Sequence, residues 1–304
     1  MAVASRNTPG QAAGKSKKRS QGSRAWRRFT ANRMAVAGLV VVILLVLMAI
    51  FANVLAPYDP INEIFRGKRG VGPEAGHLLG YDHIGRDLLS RIIYGSRIAL
   101  IVGLVSTTIA VIIGVIVGAV AGYFGGWVDE ILSLLIDTLM AFPLLALLIV
   151  LSAVVSQNFP EASLFVTIVV IGMTVWARYA RVVRAEVMSV RERDYVTAAR
   201  ALGSGDGRII WRHVIPNILS SVIILASLQI GSIIILESAL SFLGLGVRPP
   251  TPTWGGTLAD GRILLLRAPH ISAFPGLMIV ITVLAFNFVG DGLRDALDPH
   301  EKDY

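Results

Sequence analysis

Six apolar runs, divided by polar stretches of unequal length, organise this chain. They cover residues 34–56, 98–123, 131–155, 164–177, 218–243 and 271–289. Each lies near the ~20 residues that a helix needs to cross the hydrocarbon core of a bilayer. The first run carries no charge, is longer than a signal-peptide core and lacks a cleavage site, so it is expected to stay as an anchor. Helical patterning continues beyond the fourth run as far as Val190. Gly114, Gly118 and Gly122, spaced by four, predict a helix-packing face in the second run, and Pro143 predicts a kink in the third. The expected architecture is therefore all-α, a polytopic membrane protein with six transmembrane helices and no internal repeat.

Between the fourth and fifth runs lies a polar island, residues 191–217, RERDYVTAARALGSGDGRIIWRHVIPN. Asp194 is a good N-cap, Ala198, Ala199, Arg200, Ala201 and Leu202 favour helix after Tyr195, and Gly203 supplies a left-handed stop. Two turns of helix are too short to be stable alone. Ser204 and Asp206 are placed to cap a second helix with Ile209, Ile210, Val214 and Ile215 on it, which Pro216 and Asn217 are expected to interrupt. A short helix with a small Ala patch, held between two spans, is shaped to press into a groove on a partner. The plainer reading of the residue types is an ordinary helical hairpin.

Composition agrees with the membrane class. Hydrophobic residues make up 54% of the 304 and charged residues 16%, with a mean hydropathy of +0.69. Such a chain cannot hide its apolar surface in a soluble core. No cysteine is present, which excludes disulfides, thiolate metal sites and a cysteine nucleophile. The net charge of +8 comes mainly from arginines beside the apolar runs, where anionic lipid and topology account for it better than nucleic acid does. Most Lys and Arg gather in the tail 1–33 and between Arg178 and Arg212, a bias that puts both termini and the 191–217 loop on the cytoplasmic side. Within the tail, GQAAGKS at 10–16 is one residue too short for a phosphate-binding loop and lacks a flanking strand. Neither a Ser-His-Asp order nor H-E-x-x-H appears, so an intramembrane enzyme is the weakest class.

The island also resembles the coupling loop of permease subunits of ATP-driven importers. In those proteins E-A-A is followed three residues later by Gly and, nine residues further, by Ile-x-Leu-Pro. Here Thr197, Ala198 and Ala199 precede Gly203, and His213, Val214, Ile215 and Pro216 complete the spacing, with Thr197, His213 and Ile215 departing in residue type. A second stretch, HLLGYDHIGRDLLSRIIYGSR at 77–97, is similar to a signature of the C-type permeases of dipeptide, oligopeptide and nickel importers, with Tyr81 where Thr is usual. DTLMAFPLL at 137–145, ESALSFLGLG at 237–246 and DGLRDALDP at 291–299 fit the same family.

The resemblance implies a type I ABC importer permease fold. It divides the chain into a basic cytoplasmic tail, 1–33, and a permease domain, 34–304. Within that domain lie an extracytoplasmic segment at 58–97, a cytoplasmic coupling loop at 191–217 and a cytoplasmic tail at 291–304. It further implies a homologous B-type permease as heterodimer partner, two ATP-binding subunits and an extracytoplasmic solute-binding protein. This chain would hold no cofactor, ATP and Mg residing on the partner ATPases. The cargo would be a dipeptide or oligopeptide, with nickel chelates and haem as alternatives. Coupling contacts would come from Asp194, Tyr195, Thr197, Ala198, Ala199, Ala201, Leu202, Gly203, Ile209, His213 and Pro216.

Gly80 and Gly85 permit turns in the 77–97 stretch, and Asp82, Arg86 and Asp87 are placed for a local ion-pair network before a helix at 88–94. These five residues form either a structural lid or a direct substrate contact. His77 and His83 lack further metal-binding neighbours, so structural roles are expected. Asp137 and Glu237 fall inside predicted spans, where ionisable groups are costly. A proton-coupled carrier would use them as relays. The alternative places Asp137 near the cytoplasmic end of its span and turns Glu237 to the bundle interior, each held by hydrogen bonds.

Overall fold

A computed structural model of the protein describes residues 21–297. The GQAAGKS stretch and the last residues of the expected C-terminal tail lie outside them. Helices dominate, and the only β-type pairings among the described residues are the isolated bridges Glu74–His77 and Tyr81–Asp87. In chain order the helices are α1 (Gln21–Ala31), α2 (Arg33–Ile50), α3 (Ala52–Leu55), α4 (Leu88–Phe124), α5 (Gly126–Ala141), α6 (Leu144–Asn158), α7 (Ser163–Arg191), α8 (Asp194–Ala201), α9 (Asp206–Ile209), α10 (Ile215–Phe242), α11 (Trp254–Arg262) and α12 (His270–Leu297). A π-turn, Ile210–Val214, joins α9 to α10 without a break.

Five of these stretches are long and apolar enough to cross a membrane, counting the α9–α10 rod as one. The third apolar run differs from expectation. It is two helices, α5 and α6, meeting at 89° across Phe142 and Pro143. Pro143 offers no amide hydrogen to the ladder and forces the preceding residue out of the α region, and Phe142 is extended with ψ 139°. The result is an elbow rather than a kink. A sixth crossing exists only if the bent pair counts as one.

The central contact is α4 against α7, made by the predicted glycine stripe. A Cβ on Gly114 would stand 3.0 Å from the Trp176 carbonyl oxygen, one on Gly118 2.5 Å from that of Ala180, and one on Gly122 2.6 Å from that of Arg184. Nothing larger than glycine admits this approach. In lipid, where apolar burial between helices yields little, close van der Waals packing of this kind holds spans together. Around it Val183, Val187 and Val190 are buried with Ala119 and Tyr123. α2 packs on α12 by the same means, Gly38 against Ala285 and Gly292 against Ala35. Asn32 caps α2 through its side-chain oxygen, bonded to the amides of Met34 and Ala35, and donates to Asp295 of α12 at 3.1 Å.

Two of the expected segments overlap long helices. α4 begins at Leu88, where the sequence reading starts a helix, and runs on unbroken past the end of the expected 58–97 segment. α12 runs to Leu297, so the expected tail at 291–304 starts as a continuation of the last span.

Candidate coupling loop and lid

The 191–217 island is built on a buried floor. α8 turns Val196 and Ala199 inward, where they join Ile209, Val214 and Ile218 in one cluster with Tyr123, Val183 and Val187. The opposite side of α8 is open: Asp194, Tyr195, Thr197, Ala198 and Ala201 are exposed, and the following Leu202 is 87% exposed. Trp211 of the π-turn is also exposed, and His213 packs its ring 6.5 Å from that of Tyr195. Gly203 ends the helix at φ +78°, a left-handed conformation costly for other residues, and no atom lies within 4 Å of where its Cβ would be. An anchored helix with an apolar end standing clear of the bundle is a docking element in form.

Three details differ from expectation. Asp194 is the first residue of α8 rather than its cap; Arg193 takes the cap position without a side-chain bond, and the Asp194 carboxylate acts only through its place in the first turn. Ser204 and Asp206 make no side-chain cap either, Gly205 preceding α9. Pro216 does not interrupt the second helix. It sits in the first turn of α10, where its missing amide hydrogen costs little because the chain enters through the π-turn.

Residues outside the motif fasten the loop. The Tyr123 hydroxyl donates to Asp206 Oδ1 at 2.7 Å, and Arg200 lies over the same ring, 5.7 Å from its centroid. Arg191 Nη1 donates to the carbonyls of Gly122 and Tyr123 at 3.0 and 3.3 Å, capping the C-terminal end of α4. Val196, Tyr123 and Trp211 were missed by spacing arguments. The apolar Val196 between Tyr195 and Thr197, in a polar island, was the available signal for one of them.

The segment at 56–87 folds back over the start of α4. Gly80 and Gly85 take φ +76° and +99°, and a Cβ on either would meet a backbone oxygen at 2.6 Å. Asp82 is fully buried: its Oδ1 accepts the amides of Ile84, Gly85 and Arg86 at 2.9 Å, while Oδ2 faces Arg86 Nε at 2.7 Å and Arg91 Nε at 3.3 Å. Burial pushes its carboxyl up, but the Arg86 amide and the Arg91 and Arg86 charges outweigh this and hold it below the ordinary value. Asp87 does not join that network as expected. It caps α4 through the Ser90 amide and pairs with His77 Nδ1 at 2.8 Å, because the helix start points it away from Arg86. His77 in turn stacks on Tyr58 and lies tilted against Tyr81, with ring centroids 4.3 Å away in both cases.

α11 closes the other side. Trp254 donates Nε1 to the Ile92 carbonyl at 3.0 Å and fills the space left by Gly95. His83 meets Asp260 at 3.2 Å at the rim of a cavity of about 500 Å³ shared with Arg86, Arg91, Ser241 and Pro249. Burial raises the Asp260 carboxyl above its usual range, with His83 and Arg91 pulling the other way. Among the described residues no group of three or more His, Asp or Glu converges on a common metal position.

The two span carboxylates separate. Glu237 is buried and bonded to Ser241 at 2.7 Å and Ser238 at 3.3 Å. Asp137 is exposed and ion-paired with Arg181 of α7, and Asp129 forms a two-pronged pair with Arg184. Both basic partners come from a different helix, so neither acid's own span revealed them.

This bundle has the fold of a type I ABC importer permease. It is similar to the MetNI methionine ABC transporter in inward-facing conformations, with a TM-score of 0.57 at 16% identity over 69% of this chain and 98% of that one. The family described as binding-protein-dependent transport system inner membrane component matches residues 110–303, and the N-terminal TM domain of oligopeptide transport permease C matches residues 20–70. The chain belongs to this family of ABC importer permeases, in its dipeptide and oligopeptide C-type branch. Relatives named glutathione transport system permease protein GsiD share 41% identity in Pectobacterium atrosepticum and 43% in Shigella flexneri. Each match covers 91% of this chain and 90% of the relative.

Proposed function

We propose that this permease carries short peptides of glutathione size across the cytoplasmic membrane, powered by separate ATPase subunits that dock on α8. The cargo class is supported by relatives of 40–43% identity named for glutathione transport. The coupling is supported by one geometric observation: α8 is locked to the bundle by Val196 and Ala199 while Tyr195, Ala198 and Leu202 stand free. A second, homologous permease completes the pore, and a solute-binding protein delivers the peptide to the side that carries segment 56–87. Both termini and the 191–217 loop face the cytoplasm, in keeping with the Lys and Arg bias. ATP binding on the partners moves α8 and its floor as a lever and switches the cavity between inward and outward openings. ATP and Mg belong to those partners, and this chain carries out no chemistry of its own. Family membership favours this reading over a proton-coupled carrier.

Uptake of labelled glutathione and dipeptides into proteoliposomes bearing the full assembly tests the proposal. Import should require ATP and the intact ATPase. Import that persists with the ATPase disabled, yet is abolished by Asp137→Asn, would overturn it.

A further inference from the structure

One face of α7 carries charge at a depth where lipid contact is costly. Arg178, Arg181 and Arg184 follow one another at three-residue spacing, which keeps them on neighbouring turns of one side. Arg178 is the sixteenth residue of a 29-residue helix, about 22 Å from its first residue. The opposite face, with Tyr179, Ala180 and Val183, is buried against α4. Arg181 and Arg184 have carboxylate partners, Asp137 and Asp129. Arg178 is exposed and has no acidic partner among the described residues; its Nη1 donates only to the amide oxygen of Gln229 on α10, at 3.4 Å.

A second observation lies on the same pair. Gln229 is 5% exposed, and its Nε2 has no hydrogen-bond partner. A buried amide donor left unpaired is unfavourable unless something completes it. Beside Arg178 the elbow of α5 and α6 leaves a cleft of about 80 Å³ lined by Met140, Phe142 and Thr174, large enough to hold water. A cation without an acidic partner therefore lines the cleft and touches a buried glutamine whose amide donor is unpaired.

We infer that Arg178 and Gln229 form a seat for a carboxylate of the cargo on its way through the pore, a reading that rests on peptide import. Arg178 supplies the charge and the planar fork that matches a carboxylate, and the Gln229 amide supplies a further donor. Every peptide with a free C-terminus carries the group required. Arg181 and Arg184 do not compete, because Asp137 and Asp129 already neutralise them. The seat selects for a free carboxylate and is neutral towards side chains.

Two measurements on the complete purified assembly test this. Phenylglyoxal modification of Arg178, followed by mass spectrometry, should be slowed by glutathione and left unchanged by its dicarboxamide, which keeps the amine and the thiol but has no carboxylate. Equal protection by both, or by neither, overturns the seat. In proteoliposomes Arg178→Gln should lower glutathione import about tenfold, with Arg178→Lys, which keeps the charge and loses the fork, falling between the two and ATP hydrolysis in the absence of peptide unchanged. Import within twofold of the parent overturns the proposal. So does loss of the second permease from the Arg178→Gln assembly, which would assign Arg178 to a subunit contact. If the parent assembly imports no peptide, the transport reading fails, and the modification result still decides whether Arg178 binds a carboxylate.

Discussion

The hydroxyl of Tyr123 donates to the carboxylate of Asp206 across 2.7 Å, joining the last turn of α4 to the arm that leads into α10. Arg200 of α8 lies over the same ring and reaches its oxygen at 3.4 Å. One side chain thus gathers the end of α4 and both halves of the 191–217 loop. Tyr123→Phe keeps the buried ring and removes the bond, so the loss of stability should be small, about 1 kcal/mol. Peptide transported per ATP hydrolysed should fall at least about twofold, because one bond of a shared lever is cut. An unchanged ratio would show that the bond plays no part in coupling.

The glycine stripe makes a steric prediction. Gly118→Ala places a methyl group 2.5 Å from the Ala180 carbonyl oxygen, so α4 and α7 must separate. Overpacking of this order costs about 1–3 kcal/mol. Gly207→Ala, with no atom within 4 Å of the new methyl group, is the matched control. Thermal unfolding of the assembly in detergent should show a lowered midpoint for the first variant and little change for the second.

Exposure and conformation can be tested apart at the end of α8. Leu202→Asp alters an 87% exposed side chain without disturbing the floor, so the protein should fold normally and lose ATPase subunits on purification. Gly203→Ala meets no neighbour, but it must hold φ +78°, at a cost of about 1–2 kcal/mol. Its ATPase should remain bound with slower transport. Copurification separates the two outcomes.

The lid should depend on pH through Asp82. Its folded pKa lies below the ordinary value, so its stabilisation is complete above the unfolded value of about 3.9 and is lost as pH falls through the folded value. Against Asp82→Asn, the parent should therefore hold a higher unfolding midpoint at neutral pH, and the gap should narrow below about pH 4. Amide exchange at Ile84, Gly85 and Arg86 reports the same loss locally, since their N–H groups end on this carboxylate. A gap independent of pH would remove Asp82 as the anchor of this turn.

Much of this architecture was legible in residue order because the bilayer imposes length and periodicity on every span. The glycines at 114, 118 and 122 announced their packing face, and Gly203 its left-handed turn. Pro143 was legible as a break, but its angle was not, because 89° depends on how α6, with Leu148 and Ser152 buried, packs against α7. The partners of Asp137 and Asp129 were hidden for a related reason. Arg181 and Arg184 lie 44 and 55 residues away, and only the crossing of α5 over α7 brings them near. The division of α8 into floor and free face follows from its orientation on the bundle, which propensity does not specify.

The π-turn at Ile210–Val214 has a mechanical consequence. Because α9, the turn and α10 form one rod of 37 residues, about 55 Å long, the loop has no slack on that side. On the other side the chain passes from α7 to α8 through Glu192 and Arg193, and Val196 and Ala199 pack back against Val183 and Val187. A load applied near Trp211 travels straight up α10 towards Gln229, while the same load at Tyr195 reaches α7 sideways, through the packing of Val196 and Ala199. The two ends of a single loop therefore transmit force by different routes, along a continuous backbone towards one span and through side-chain packing towards the other.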